Sequence, residues 1–130
     1  MNKDRLVHIA LFLLRIVAGF LFIQNGGLKL FGWFGGMPGG GALPPLLLAA
    51  GLLEFFGGIA ILLGIVTRPV AFVLSGEMAV AYFIGHASQG HVFAPLLNQG
   101  QPAILFCFIF LFFAANGAGP CSLDAVVFKK

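Results

Sequence analysis

Three charged side chains interrupt stretches of sequence that are otherwise apolar. Arg15, Glu54 and Glu77 each lie in a different apolar run. A charged side chain near the centre of a bilayer costs about 2.5–3.5 kcal/mol on insertion scales, so such groups usually face a protein interior and pair there. We therefore expect the three side chains to form one buried cluster.

The chemistry of such a cluster follows from its charge. Two carboxylates that meet one guanidinium leave one negative charge in excess unless a proton is held. Glu54 and Glu77, poised by Arg15, are therefore the proton-handling candidates. A paired network that only fixes the register of the helices is the alternative interpretation.

Helical spacing also indicates which face Glu54 presents. Gly51, Gly57 and Gly58 lie three residues before it and three and four residues after it, close to one stripe. Small residues mark the places where membrane helices approach closely. We expect Glu54 to point towards a neighbouring helix rather than towards lipid.

Polar residues on the outer side of the chain indicate a second feature, the lining of a pocket. Tyr82 and His86 share a helix face, and the segment that follows is rich in amides. The ligand-binding candidates are Tyr82, His86, His91, Asn98, Gln101 and Lys29. His86 and His91 are not a helical pair and no third ligand is evident, so we predict no metal site.

Composition determines which elements must position these residues. Of 130 residues, 60% are hydrophobic and 8% are charged, against about 25% charged in soluble domains. The sequence is therefore that of an integral membrane protein. Its net charge of +3 reports orientation rather than a nucleic-acid partner, and its two cysteines do not suggest a disulfide framework.

The apolar runs predict four membrane spans, at about 6–24, 43–66, 70–86 and 100–117. The runs lack the alternation of strands, so the predicted fold is an all-α membrane protein, a four-transmembrane-helix bundle in a single domain over 1–130. The glycine-rich segment 25–42 reads either as an interfacial loop or as a short re-entrant piece.

The distribution of Lys and Arg predicts both termini in the cytoplasm. Lys3, Arg5, Arg68, Lys129 and Lys130 would lie inside, against Lys29 alone outside. The first run is not expected to be a cleaved signal peptide, because a charged residue interrupts it and no small-residue cleavage site follows.

The order and spacing of four pieces resemble the DoxX family of small four-span bacterial membrane proteins. These are LLRIVAGFLFIQNGGLKLFG (13–32), LLEFFGGIAILLGIVTRPVA (52–71), EMAVAYFIGH (77–86) and GAGPCSLD (117–124). The positions that the resemblance carries across are Arg15, Gly19, Lys29, Gly32, Glu54, Gly58, Thr67, Arg68, Glu77, His86 and Asp124. The chain departs from the family pattern at 98–101, where it reads NQGQ instead of NGGE, and at Cys121, which replaces an aromatic residue.

The resemblance implies a function as well as a fold. Members look like accessory subunits of quinone-linked redox or oxidant-defence systems in the bacterial inner membrane. No intrinsic flavin, haem or iron–sulfur motif is evident, so the implied ligand is a quinone and the implied partner a redox protein. If the chain takes part in catalysis, it does so as a quinone-interacting subunit of an oxidoreductase.

Two other functions remain open from the residues alone. One is a small-solute or proton-coupled transporter or channel that acts as a homo-oligomer, since mid-membrane charges mark such pathways. The other is a structural or assembly factor that holds a membrane complex through its small-residue faces.

Overall fold

The computed structural model describes residues 2–37 and 41–128, and within them every regular element is helical. The long helices are α1 (Lys3–Phe31), α2 (Pro45–Leu63), α3 (Thr67–Ala81) and α5 (Gln101–Asn116). The short ones are α4 (Pro95–Asn98) and α6 (Leu123–Val127). The α1 and α2 segments and Thr67–Gln89 are long and apolar enough to cross a membrane, and α5 is a shorter apolar helix. The all-helical prediction is confirmed for these residues.

Local sequence signals explain where the helices begin and end. The Asn2 side chain accepts the backbone N–H of Arg5 and starts α1. Pro45 opens α2, which ends at Gly64 in the left-handed conformation, with φ of 71°. Beyond α3 the chain continues as a π-helical turn, Tyr82–His86, and a 3-10 turn, Ala87–Gln89.

The first helix is longer than the predicted span 6–24. Residues 25–31 continue α1, and a 3-10 turn at Trp33–Gly35 follows, so this part of the glycine-rich segment is helical. The glycines read as a turn because glycine weakens a helix. In the structure Gly26 instead lies against the backbone of Phe55, where a Cβ would meet it at 2.4 Å. Residues 38–40, and the Lys129 and Lys130 used in the orientation argument, lie outside the described residues.

Two helix pairs build the bundle, with α1 packed along α2 and α3 along α5. Between α1 and α2 the backbones nearly touch: a Cβ on Gly19 would lie 2.7 Å from the Leu62 nitrogen and 2.8 Å from the Gly58 carbonyl oxygen. Phe22 packs edge-on against Phe110 of α5, with ring centroids 4.6 Å apart. Both of these rings are fully buried, and they join the two pairs into one core.

Enlarging a residue at the α1–α2 contact tests whether this contact determines how the two helices pack. Gly19→Ala should lower the unfolding temperature in detergent and cost about 1–3 kcal/mol, because the added methyl meets backbone that cannot move aside. The matched control is Gly76→Ala in α3, where a Cβ meets nothing within 4 Å. This control should be neutral or stabilising, because alanine is the better helix former. Equal effects of the two substitutions would contradict the proposed contact.

Candidate functional site

A buried ion pair joins α1 to α2. Lys29 Nζ donates to Glu54 Oε1 at 2.7 Å, and the two side chains are 18% and 3% exposed. This is the one salt bridge in the part of the chain that the structure describes. Lys29 was predicted as a ligand-binding candidate, but its role as the partner of Glu54 was not predicted.

The register of α1 on α2 explains why these two side chains meet. The two helices are antiparallel, and a Cβ on Gly51 would lie 3.1 Å from the Cβ of Lys29. Side chains on a helix lean towards its N-terminus. The Lys29 side chain therefore runs back along α1 to the level of Glu54, one turn further along α2.

Glu77 brings a second carboxyl group from α3 to this pair. Its side chain lines the same cavity as that of Glu54 and lies close enough to interact with it electrostatically. Its Oε1 atom is buried and has no hydrogen-bond partner among the described residues. A carboxylate is an acceptor only, so a hydrogen bond between two carboxyl groups needs one proton. The structure brings the side chains of Glu54 and Glu77 together at one cavity, as predicted.

These groups line one cavity, which we call the carboxyl cavity. It has a volume of about 470 Å³, and its polar lining residues are Asn25, Lys29, Glu54, Glu77 and His86. Apolar residues of α2, α3 and α5 complete the wall, among them Leu53, Met78 and Phe106. Small-molecule sites have this character, with apolar walls and a few convergent polar groups.

Three of the ligand-binding candidates, Tyr82, His86 and Asn98, form hydrogen bonds in one network. The Tyr82 hydroxyl donates to the Val92 carbonyl at 2.6 Å, and Asn98 Nδ2 donates to the Tyr82 oxygen at 3.2 Å. His86 Nδ1 lies 3.1 Å from the Asn98 carbonyl oxygen. This network fixes the segment 90–98 over the end of α3. Of the three side chains, only that of His86 also lines the carboxyl cavity.

Two candidates lie away from the cavity. His91 is exposed, with a φ of 59°, and Gln101 is exposed at the start of α5. Neither of them lines the carboxyl cavity. Asn25 does line it but was not predicted, because the sequence Asn25-Gly26-Gly27 reads as a turn rather than as part of a helix.

The predicted pairing of Arg15 with Glu54 is wrong. Arg15 is 2% exposed, and its guanidinium donates to four backbone carbonyl groups. These are Ile61 at 3.0 Å, Leu62 at 3.4 Å, Ala118 at 2.9 Å and Cys121 at 2.8 Å. The carbonyl groups of a helix end lack intrahelical partners, and Arg15 supplies donors to two in the last turn of α2.

The error arises because the cost of burying charge predicts that charged side chains meet, but it does not determine the register between α1 and α2. The Gly19–Leu62 contact instead puts Arg15 level with the C-terminus of α2. Ile61 lies seven residues beyond Glu54, about 10 Å along the helix axis.

The segment 117–124 closes one end of the bundle around Arg15. Two of its carbonyl groups bind the guanidinium, and its Asp124 carboxylate accepts the backbone N–H groups of Val66 at 2.7 Å and Thr67 at 2.9 Å. A carboxylate in this position caps the N-terminus of α3 and suits the positive end of the helix. The resemblance pointed to Asp124, and the structure gives it this capping contact.

Comparison with known proteins gives one family and two relatives. A family model described as DoxX matches residues 10–87. The chain is 47% identical over 120 residues to an uncharacterized protein of Haemophilus influenzae, and the match covers 90% of each chain. It is 31% identical over 134 residues to the inner membrane protein YqjF of Escherichia coli, covering 97% of this chain and 98% of the relative. No solved structure matches.

A double-mutant cycle tests the buried ion pair. Lys29→Met should destabilise the protein by about 3–5 kcal/mol, because it leaves a buried carboxylate without its partner. Lys29→Met combined with Glu54→Gln should recover much of that loss, since both charges are then gone. Thermal unfolding in detergent gives the coupling energy, and strictly additive losses would show that the pair does not interact.

Arg15 should tolerate no substitution that shortens its reach. Arg15→Lys should lower the unfolding temperature strongly, because one ammonium cannot donate to carbonyl groups on both α2 and the segment 117–124. Each lost bond from a charged donor contributes about 1.5–3 kcal/mol. Arg5→Lys, at an exposed position, is the control and should leave stability unchanged. A wild-type unfolding temperature for Arg15→Lys would contradict the four-carbonyl geometry.

Proposed function

The chain belongs to the DoxX family and is a multi-pass protein of the bacterial inner membrane, and on this basis we propose that it is an accessory subunit of a quinone-linked redox or oxidant-defence system. In this role the carboxyl cavity binds the headgroup of a quinone. Glu54 and Glu77 exchange protons with it, and a partner redox protein supplies or accepts the electrons.

The observation that carries this proposal is the combination of apolar walls with an unsatisfied buried carboxyl oxygen. Leu53 and Phe106 offer the flat apolar surface that a quinone ring and the start of its tail require. Glu77 Oε1 has no partner among the described residues, so a bound headgroup would satisfy it. A protonated Glu77 would donate to a quinone carbonyl, and an ionised Glu77 would accept from a quinol hydroxyl.

Lys29 and Glu54 would set the charge of the site. Their ion pair is neutral as a whole, so Glu77 can hold a proton without leaving a net charge in the cavity. The Lys29 ammonium also favours the ionised form of a nearby carboxyl group when the proton leaves. The site would therefore be neutral while Glu77 holds a proton and would carry one negative charge after the proton leaves.

The same proposal includes four membrane spans with both termini in the cytoplasm. Arg15 on α1 and the α2–α3 turn both bind the segment that follows α5, through Ala118 and Asp124. An even number of crossings brings the C-terminal segment back to that end. Lys3, Arg5 and Arg68 lie at the same end, as the positive-inside rule requires of the cytoplasmic face.

Proton-coupled transport of a small solute by an oligomer is the second candidate. It is favoured by the extent of the carboxyl cavity, which runs from Glu54 and Glu77 to Met37 and His86 near the outer end. Solute or proton flux into liposomes, abolished by Glu54→Gln, would support transport in place of quinone binding.

Quinone binding to the purified protein tests the first proposal. A short-chain ubiquinone analogue should raise the unfolding temperature in detergent, and Glu77→Leu should weaken its binding about fivefold or more through the loss of a buried hydrogen-bonding group. Gly76→Ala, next to Glu77 and without packing contacts at its Cβ, should bind like the wild type.

Infrared spectroscopy gives an independent measurement of the proton. The stretch of a protonated carboxyl group should be present in the wild type, shift on addition of the quinone and disappear in Glu77→Gln. A lack of quinone binding, or a spectrum in which both carboxyl groups are ionised at every pH above about 5, would rule the mechanism out.

A further inference from the structure

A second cavity lies at the opposite end of the bundle and shares no lining residue with the carboxyl cavity. We call it the inner groove. It has a volume of about 640 Å³ and runs between the start of α1, the α2–α3 turn and the segment 117–128. The residues that matter here are Leu11, Thr67, Arg68 and Asp124, with Val7 and His8 at the rim.

Thr67 in the wall of the inner groove carries an unsatisfied hydroxyl group. The residue is 0% exposed, and its Oγ1 atom has no hydrogen-bond partner among the described residues. Its backbone N–H is already used, because it donates to Asp124 Oδ2. A buried hydroxyl without a partner is unfavourable, and a ligand with acceptor oxygens would remove that cost.

Arg68 supplies a cation that no protein carboxylate neutralises in the described part of the chain. Its Nε donates to the Ala114 carbonyl at 2.9 Å, which leaves the two terminal nitrogens without a partner among those residues. The salt bridge found there joins other residues. The guanidinium is thus anchored on one side and free to bind an anion with its remaining donors.

Asp124 is the acidic group that faces the same groove. Its carboxylate accepts the N–H groups of Val66 and Thr67, and it lies close enough to Arg15 to interact electrostatically. These contacts offset its negative charge. Arg15 and Arg68 together therefore exceed Asp124 by one positive charge, before His8 is counted.

We propose that the inner groove binds the phosphate group of an anionic phospholipid from the cytoplasmic leaflet. Arg68 donates to two phosphate oxygens, Thr67 Oγ1 donates to a third, and an acyl chain lies along Val7 and Leu11. The proposal uses the topology given above and does not depend on quinone binding. Basic pockets between helices on the cytoplasmic side are suited to such headgroups.

Lipid-dependent unfolding of the full chain tests the assignment. In maltoside micelles, which contain no phosphate, added phosphatidylglycerol should raise the unfolding temperature more than phosphatidylcholine does. Arg68→Gln should weaken the response to phosphatidylglycerol about tenfold. The matched control is Arg5→Gln, which removes the same charge at the same end outside the groove and should change the response less than about twofold.

Thr67→Val should affect stability differently without lipid and with phosphatidylglycerol. Without lipid the substitution should leave stability unchanged or raise it, since it removes an unsatisfied hydroxyl of nearly the same size. With phosphatidylglycerol it should reduce the lipid-induced shift, whereas Thr67→Ser should keep it. If Arg68→Gln fails to fold, the lipid responses of Arg68→Lys, Thr67→Val and Thr67→Ser still test the proposal.

Three results would overturn the proposal. Equal losses of the lipid response in Arg68→Gln and Arg5→Gln would show that general surface charge, rather than the groove, causes the effect. A full temperature shift with inorganic phosphate alone would assign the groove to a soluble anion. An unchanged lipid response in Thr67→Val would show that the hydroxyl does not contact the headgroup. Quinone binding by the same variants should remain at wild-type strength in every case.

Discussion

The close contact of α1 and α2 at Gly19 and Gly58 is the constraint on which the rest of the structure depends. Where two helix backbones nearly touch, neither can slide along the other without a clash, so one contact fixes the register of both. That register places Lys29 beside Glu54 at one level. It places Arg15 beside the end of α2 at another. A shift of one turn, about 5.4 Å, would separate both sets of partners at once.

The two cationic side chains Arg15 and Lys29 have different hydrogen-bond acceptors. This difference distinguishes a structural role from a role in proton exchange. Arg15 donates to backbone carbonyl groups, which do not titrate, so these hydrogen bonds do not depend on the protonation state of an acceptor side chain. Lys29 pairs with the Glu54 carboxylate, which lines the same cavity as a second carboxyl group, that of Glu77. That arrangement can change its protonation state. Proton chemistry is therefore expected at Glu54 and Glu77, and rigidity at Arg15.

The type of each element was predictable from the sequence. The relative depths of residues in different helices were not. Helices were predictable from uninterrupted apolar runs, and Glu54 with Glu77 from the cost of burying charge. The partner of Arg15 was not predictable, because the register between helices depends on which small residues touch, and Gly19, Gly26 and Gly51 are equivalent in the sequence alone. Backbone carbonyl groups are also invisible as ligands, since every residue has one. Only their position at the end of α2 makes them available.

The partners of Arg15 have a consequence for how the protein is made. Ala118 and Cys121 follow it by 103 and 106 residues, whereas Ile61 follows by 46. As the chain leaves the ribosome, α1 enters the membrane long before the last of these carbonyl groups exists. The arginine therefore remains only partly satisfied until synthesis is nearly complete. A chain that stops before residue 118 lacks the Ala118 and Cys121 carbonyl groups, so its buried guanidinium keeps donors without these acceptors.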